Sequence, residues 1–276
     1  MKKLLTLSLI AGLLFSVNAQ DASDKKVLAG LTLGGAININ DPQTNTMNSK
    51  AGGDFIVGMA LDWNFSKNIG LATGIEFDFN RFRTSYNQAI FLNYRDKDVL
   101  QFRDYNDENT DNSFLVNERQ HKSIYLSVPL MLKFQTNFMG YMRYYGKFGV
   151  RNSFMLTTRT SNKGQAYDVS GDAVDVTQLD DMKSPGSMSF YKGSIGIAGG
   201  AEYNISGNTV LVAELGYYYG FSEVFQQSGS IIGDDAKDLS LYQIQDPSKP
   251  GENAIRTYYA PSLKQGQLML KVSVLF

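Results

Sequence analysis

The chain has 276 residues, with 26 Lys and Arg against 27 Asp and Glu, one His and no Cys. This near-neutral balance offers no basic surface for nucleic acid, and the missing cysteines exclude both a disulfide-stapled scaffold and an acylated N-terminal cysteine. A lone histidine rules out multi-histidine metal centres, so neither a metal nor any other cofactor is expected.

Lys2 and Lys3 precede an apolar run from Leu4 to Val17 that ends in Val17-Asn18-Ala19. A basic start, a short apolar stretch and small residues predict a signal peptide over 1–19, cleaved after Ala19. The run is shorter than the roughly 20 residues a membrane-spanning helix needs. Residues 20–276 then form one domain, its formal charge moving from -1 to about -3 as two lysines leave.

From there strict alternation recurs, one phase apolar or aromatic and the other small, polar or charged, which is the pattern of strands. The first segment, Val27 to Ile39, sets Leu31, Leu33 and Ile37 against Gly30, Thr32 and Asn38. The second, Gly53 to Phe65, opposes Phe55, Val57, Met59 and Trp63 to Asp54, Gly58 and Asp62, and the third, Ile69 to Arg83, opposes Ile75 and Phe77 to Glu76, Asp78 and Asn80. Segments four and five, Lys122 to Gln135 and Tyr141 to Thr158, carry Lys133, Arg143, Lys147 and Arg151 on the polar phase. Segments six and seven, Met188 to Ile205 and Thr209 to Phe221, carry Lys192, Glu202 and Glu214, and the eighth, Leu263 to Phe276, carries Lys271.

Connections alternate between short (66–68, 136–140, 206–208) and long polar ones (40–52, 84–121, 159–187, 222–262). Short periplasmic turns, long extracellular loops and an even strand count predict an all-β, eight-stranded antiparallel up-and-down transmembrane β-barrel with both termini in the periplasm. Sixteen tyrosines and seventeen phenylalanines suit two interfacial girdles. The charges decide between this and a soluble lipocalin-like barrel with the opposite facing. None falls on the apolar phase, where Lys or Arg at the bilayer midplane costs about 2–4 kcal/mol. Asp54, Asp62, Glu76, Asp78, Glu202 and Glu214 share the polar phase with Lys133, Arg143, Lys147, Arg151, Lys192 and Lys271. The lumen of about eight strands is filled by side chains, so these groups are expected to plug it as an ion-pair network.

The strand Ile124-Tyr125-Leu126-Ser127-Val128-Pro129-Leu130-Met131-Leu132-Lys133-Phe134, the glycine-rich run Gly193 to Tyr203 and the terminal Phe276 resemble the PorT-like outer-membrane β-barrel proteins of Bacteroidetes. The resemblance implies a barrel in the outer membrane of a Gram-negative bacterium and no single activity; some relatives take part in type IX secretion. It also implies that Phe276 is read by the barrel-assembly machinery, alongside a plain role as interfacial anchor. Pro129, lacking an N–H, predicts a local bulge or an unpaired carbonyl.

Other chemistry is sparse. The run Asp104 to Asp111 carries oxygen ligands that calcium accepts, but without a known loop spacing, and a solvated acidic tip is the plainer reading. His121 and Ser123 lie two residues apart on one strand face, resembling the His-x-Ser of outer-membrane lipid A deacylases, with no acidic orienting residue assignable. Gly199-Gly200 precedes no helix and reads as space-making in the lumen rather than a phosphate cradle. The leading expectation is a non-enzymatic interaction barrel in contact with outer-membrane lipid, binding a protein or glycan partner through loops 84–121 and 222–262. Transport of a small or lipidic solute through a partly open lumen is the alternative, and lipid hydrolysis the remote one. Phe91 to Tyr94, Val99 to Phe102 and Leu241 to Ile244 are expected to form strand extensions, contact patches or a cluster packed on itself above the barrel.

Overall fold

The computed structural model describes residues 26–104, 112–206, 209–227, 239–247 and 255–276. The signal-peptide segment 1–19 and most of the acidic run Asp104 to Asp111 lie outside them. The described chain is all-β. In order its strands are β1 (Val27–Pro42), β2 (Met47–Asn64), β3 (Ile69–Arg95), β4 (Asp98–Val99), β5 (Asn112–Gln135), β6 (Met142–Tyr167), β7 (Ala173–Val174), β8 (Gln178–Lys183), β9 (Tyr191–Ser206), β10 (Thr209–Gly220), β11 (Leu241–Ile244), β12 (Arg256–Tyr258) and β13 (Leu263–Leu275). No described helix is long and apolar enough to cross a membrane.

The eight alternating segments of the sequence correspond to β1, β2, β3, β5, β6, β9, β10 and β13, but eight elements undercount the thirteen found. The reason lies in the predicted loops. Segment 40–52 is no long loop, since β1 and β2 run to Pro42 and from Met47. Loops 84–121 and 159–187 are largely extensions of β3, β5 and β6, with β4, β7 and β8 added, and 222–262 contributes β11 and β12.

Antiparallel pairing runs from β1 to β2, β3, β5, β6, β9, β10 and β13, and β13 pairs back onto β1. A second path links β3 to β6 through the short β4 and β8. A circuit counted that way has nine members. Closure leaves the long strands without the exposed edge that invites aggregation.

Facing follows the two-residue period of each strand. Leu31, Leu33, Ile37, Ile197, Leu215 and Leu270 are all more than half exposed, while Arg151, Asp78 and Glu202 are wholly buried. Aromatic side chains collect at both ends of this apolar surface. Trp63 packs edge-on against Phe65 (5.3 Å) and Phe134 stacks on Phe148 near the short turns, while Tyr191, Tyr217, Tyr219 and Phe221 are exposed near the opposite end. Tyr191 and Tyr203 stand about 12 residues apart on β9, roughly 30 Å at an ordinary strand rise and tilt, close to the ~25 Å apolar band of a bilayer barrel.

Register carries two instructive irregularities. Pairing of β3 with β5 shifts between Ser85 and Ile90, two residues past the predicted strand end at Arg83, and above this shift β3, β5 and β6 continue as a hood. At Pro129 the expected bulge is absent. Thr73↔Leu130 and Glu76↔Ser127 keep one register with the intervening rungs missing, while Pro129 still faces Arg151 of β6. A missing N–H removes hydrogen bonding on the β3 side without inserting a residue.

The inner face is tightly shaped. A Cβ on Gly196 would come within 2.3 Å of the Tyr218 ring, and one on Gly200 within 2.5 Å of the Tyr145 hydroxyl. Both glycines make room for an inward tyrosine, as expected for the strand glycines.

Candidate functional site: the buried polar interior

The register assembles the inward polar residues into layers. Nearest the short turns, Lys133 of β5 is ion-paired to Asp62 of β2 and Glu202 of β9, and Arg143 Nε donates to Glu202 at 2.5 Å. Lys147 pairs with Glu214, which also accepts from the Tyr145 hydroxyl at 2.8 Å. Lys133 lies 4.7 Å from the Tyr145 ring centroid, and Arg143 is 4.7 Å from that of Phe138. Three cations share this layer with three carboxylates, and the aromatic faces add cation–π contact to the ion pairs.

A second layer centres on Arg151, which donates to Glu76 and Asp78, each at 3.1 Å, while Lys271 holds the other oxygen of Glu76 at 2.6 Å. Gln267 bridges upward, accepting from Arg151 at 3.3 Å and donating to Asp54 at 2.5 Å. On the same inner face Ala36, Ile56, Ala72, Met131, Tyr218 and Met269 form a small buried apolar cluster, with Ala36 opposite Asp54 and Ile56 opposite Asp78 in the register.

Ten of the twelve predicted charges are therefore joined in direct cation–carboxylate contacts, and two are not. Asp54 is held by amides instead, from Asn38 (2.5 Å), Asn80 (3.0 Å) and Gln267, with the Arg81 backbone N–H at 3.3 Å. Lys192 donates to Gln265 (3.1 Å) and lies 4.5 Å from the Tyr125 ring centroid. Both departures arise because the register places Asn and Gln, rather than an opposite charge, beside them. The amides Asn38, Asn80, Gln265 and Gln267 and the tyrosines Tyr125, Tyr145 and Tyr218 are network members that charge counting misses, although all share the polar phase. Hydroxyl pairs complete the lining, Ser127 with Ser153 at 2.7 Å and Thr32 with Ser273 at 2.9 Å.

The His121 and Ser123 pair does not form a nucleophile and base. Ser123 is bonded to Thr158 at 3.0 Å, and His121 Nε2 lies 3.1 Å from Thr84 Oγ1. The imidazole stacks on Phe82 (4.7 Å) and meets Phe225 edge-on, and burial with the nearby Arg119 charge holds its pKa well below the usual histidine value. Among the described residues no cluster of three or more His, Asp or Glu is placed to hold a metal. Phe276 closes the last strand, exchanging backbone hydrogen bonds with Ala29 at 2.9 and 3.2 Å.

A wall with its charges inside and its aliphatic side chains outside is built for a bilayer, and it defines a membrane β-barrel of the outer-membrane class. The chain belongs to the outer membrane protein beta-barrel domain family, whose model matches residues 18–226. Among solved structures it is similar to OprG from Pseudomonas aeruginosa (10% identity over 92% of this chain and 99% of that one, TM-score 0.42). Two further likenesses are Ail, the attachment invasion locus protein of Yersinia pestis (15%, 91% and 100%, TM-score 0.31), and the Neisserial surface protein NspA (11%, 91% and 98%, TM-score 0.32). No curated protein matches the sequence. The family assignment rests on the family model alone.

Proposed function

We propose that the chain is an eight-stranded up-and-down barrel of the outer membrane whose task is interaction at the cell surface, neither passage nor catalysis. The circuit of long strands supports the count, with β4, β7, β8, β11 and β12 belonging to the hood above the wall. Short turns at one end and the hood at the other orient the hood outward and both termini into the periplasm, after removal of residues 1–19. Within the family, the Ile124 to Phe134 strand favours a PorT-like member, and Phe276 the barrel-assembly signal.

The observation that carries the reading is the filled interior. Arg151, Glu202 and Asp78 are wholly buried, Arg151 joins β6 to β3 across β5, and Lys271 joins β13 to β3 across β1 and β2, which leaves the hood as the surface able to meet a protein or glycan partner. Pure protein in planar bilayers is expected to give no discrete channels, and Glu76→Ala to lower the unfolding temperature without opening any. Discrete wild-type conductance would replace this reading with solute transport, and a lipid-hydrolysing activity lost in Ser123→Ala would replace it with catalysis.

A further inference from the structure

Along the wall the outward phase is uncharged, but at the hood end it turns basic, against the expectation of a charge-free apolar phase. On β3, Arg81 and Arg83 continue the outward series of Ile75, Phe77 and Phe79, and on β5 Lys122 precedes Ile124 by two residues. The register sets Arg81 opposite Lys122, Lys122 opposite Arg159 of β6, and Arg159 opposite Lys183 of β8. Directly opposite residues share a face, so neighbouring strands carry one continuous row of positive charge. One rung further on, the shift between Lys50 and Gly53 of β2 brings Lys50 opposite Arg83.

Like charges placed opposite one another are destabilising, and the acids nearby answer only part of the row. Glu118 lies 3.8 Å from Lys50 and 3.9 Å from Arg83, Asp181 lies 2.9 Å from Arg159, and Asp98 lies 3.7 Å from Lys183. Arg81 and Lys122 have no ion-pair partner among the described carboxylates. From β3 to β8 the row spans about 14 Å at ordinary strand spacing, wide enough for a headgroup with more than one phosphate.

The height of the row selects the kind of anion. Arg81 stands about 12 residues beyond Ile69 on β3, roughly 30 Å at ordinary strand rise and tilt, just past the ~25 Å apolar band of a bilayer barrel. Immediately beneath it the Phe55 and Phe79 rings lie 6.1 Å apart, and Phe55, Phe77 and Phe154 are exposed. On β10 the exposed groups at the hood end are instead the uncharged aromatics Tyr217, Tyr219 and Phe221. A molecule held by the row meets cations above and an apolar wall below, which suits a lipid and not a soluble anion.

We propose that the outward sector of β3, β5 and β6 binds the phosphate-bearing headgroup of a lipid in the outer leaflet, with Arg81 and Lys122 holding the phosphates and Phe79 and Ile124 meeting the acyl chains. The proposal rests on the bilayer facing and outward hood given above, so insertion is tested first, by flotation of the intact protein with vesicles of pure phosphatidylcholine. A protein that fails to insert overturns the membrane reading and this proposal together. Native mass spectrometry from nonionic detergent then compares diphosphorylated lipid A, its dephosphorylated form and phosphatidylcholine at equal concentration. Preferential retention of the phosphorylated lipid is expected. Arg81→Gln combined with Lys122→Gln should weaken it roughly tenfold or more, while Lys67→Gln, at the short-turn end, leaves it unchanged. Removing two unpaired like charges strands no buried group, so the double variant should unfold in phosphatidylcholine at the wild-type temperature or above it. Equal retention of the three lipids by an inserted protein overturns this proposal alone, as does undiminished retention in the double variant. Displacement of the lipid by inorganic phosphate at constant ionic strength, or capture of a soluble sulfated polysaccharide without lipid preference, overturns it by assigning the row to a soluble anion.

Discussion

The wall and the hood are made from the same strands, yet they are organised in opposite senses. In the wall, charges lie inside and aliphatic side chains outside; in the hood, Ile90, Leu92, Val99, Phe114, Val116 and Leu179 form a buried apolar cluster, as in a water-soluble domain. A second cluster of Phe91, Tyr242 and Ile244 packs on the other face of the same strands. The inversion occurs along β3 and β5, across the register shift between Ser85 and Ile90. The difference teaches that solvent, rather than strand formation, sets the sign of the pattern: hydrocarbon outside reverses what water outside requires.

Four substitutions or conditions separate the two regions, and the wall carries the largest expected effect. Arg151→Met strands Asp78 and half of Glu76 in the interior and should cost about 3–5 kcal/mol in reversible unfolding from detergent; a loss below about 1 kcal/mol would mean that water reaches the pair. Ile197→Lys, on the outward face, should cost about 2–4 kcal/mol in a bilayer if it sits near the midplane, whereas a surface position in water would tolerate it. The hood should respond more locally. Ile90→Val is expected to remove about 0.5–1.5 kcal/mol, seen as faster amide exchange of the hood segments of β3 and β5 with the wall unchanged. The mildest effect concerns acid. His121, between the wall and the hood, titrates in the folded protein well below its unfolded value of 6.5, so below that pH the unfolded chain binds a proton that the folded one refuses. Stability of this junction therefore falls as pH drops through 6.5, by at most about 1.4 kcal/mol per pH unit, and His121→Phe should flatten that dependence.

How much of this was legible in the sequence follows from the same contrast. Alternation has a fixed period, so the inward facing of Glu76, Lys133, Arg151 and Glu214 could be read directly, as could the tight hairpin between β2 and β3. Which inward groups touch depends on register between strands far apart in the chain. The amide cage of Asp54 joins residues of β1, β3 and β13, and the Lys192 contact with Gln265 joins β9 and β13; no local pattern announces either. The hood is legible only in part. Phe91 to Tyr94 and Leu241 to Ile244, expected as strand extensions or a self-packed cluster, do extend β3, form β11 and pack together. The length of the extensions is hidden because a strand apolar on both faces, such as Ile90-Phe91-Leu92, loses its period and reads as loop when polar residues flank it.

The central claim is that the wall shows lipid one face and protein the other, and the chain's lack of cysteine allows single labels without background. Spin labels placed one at a time from Leu211 to Gly216 of β10 in lipid bilayers should show collision with oxygen at 211, 213 and 215 and protection at 212, 214 and 216. The reverse alternation, or uniform access by a water-soluble relaxation agent along the whole run, would contradict the account.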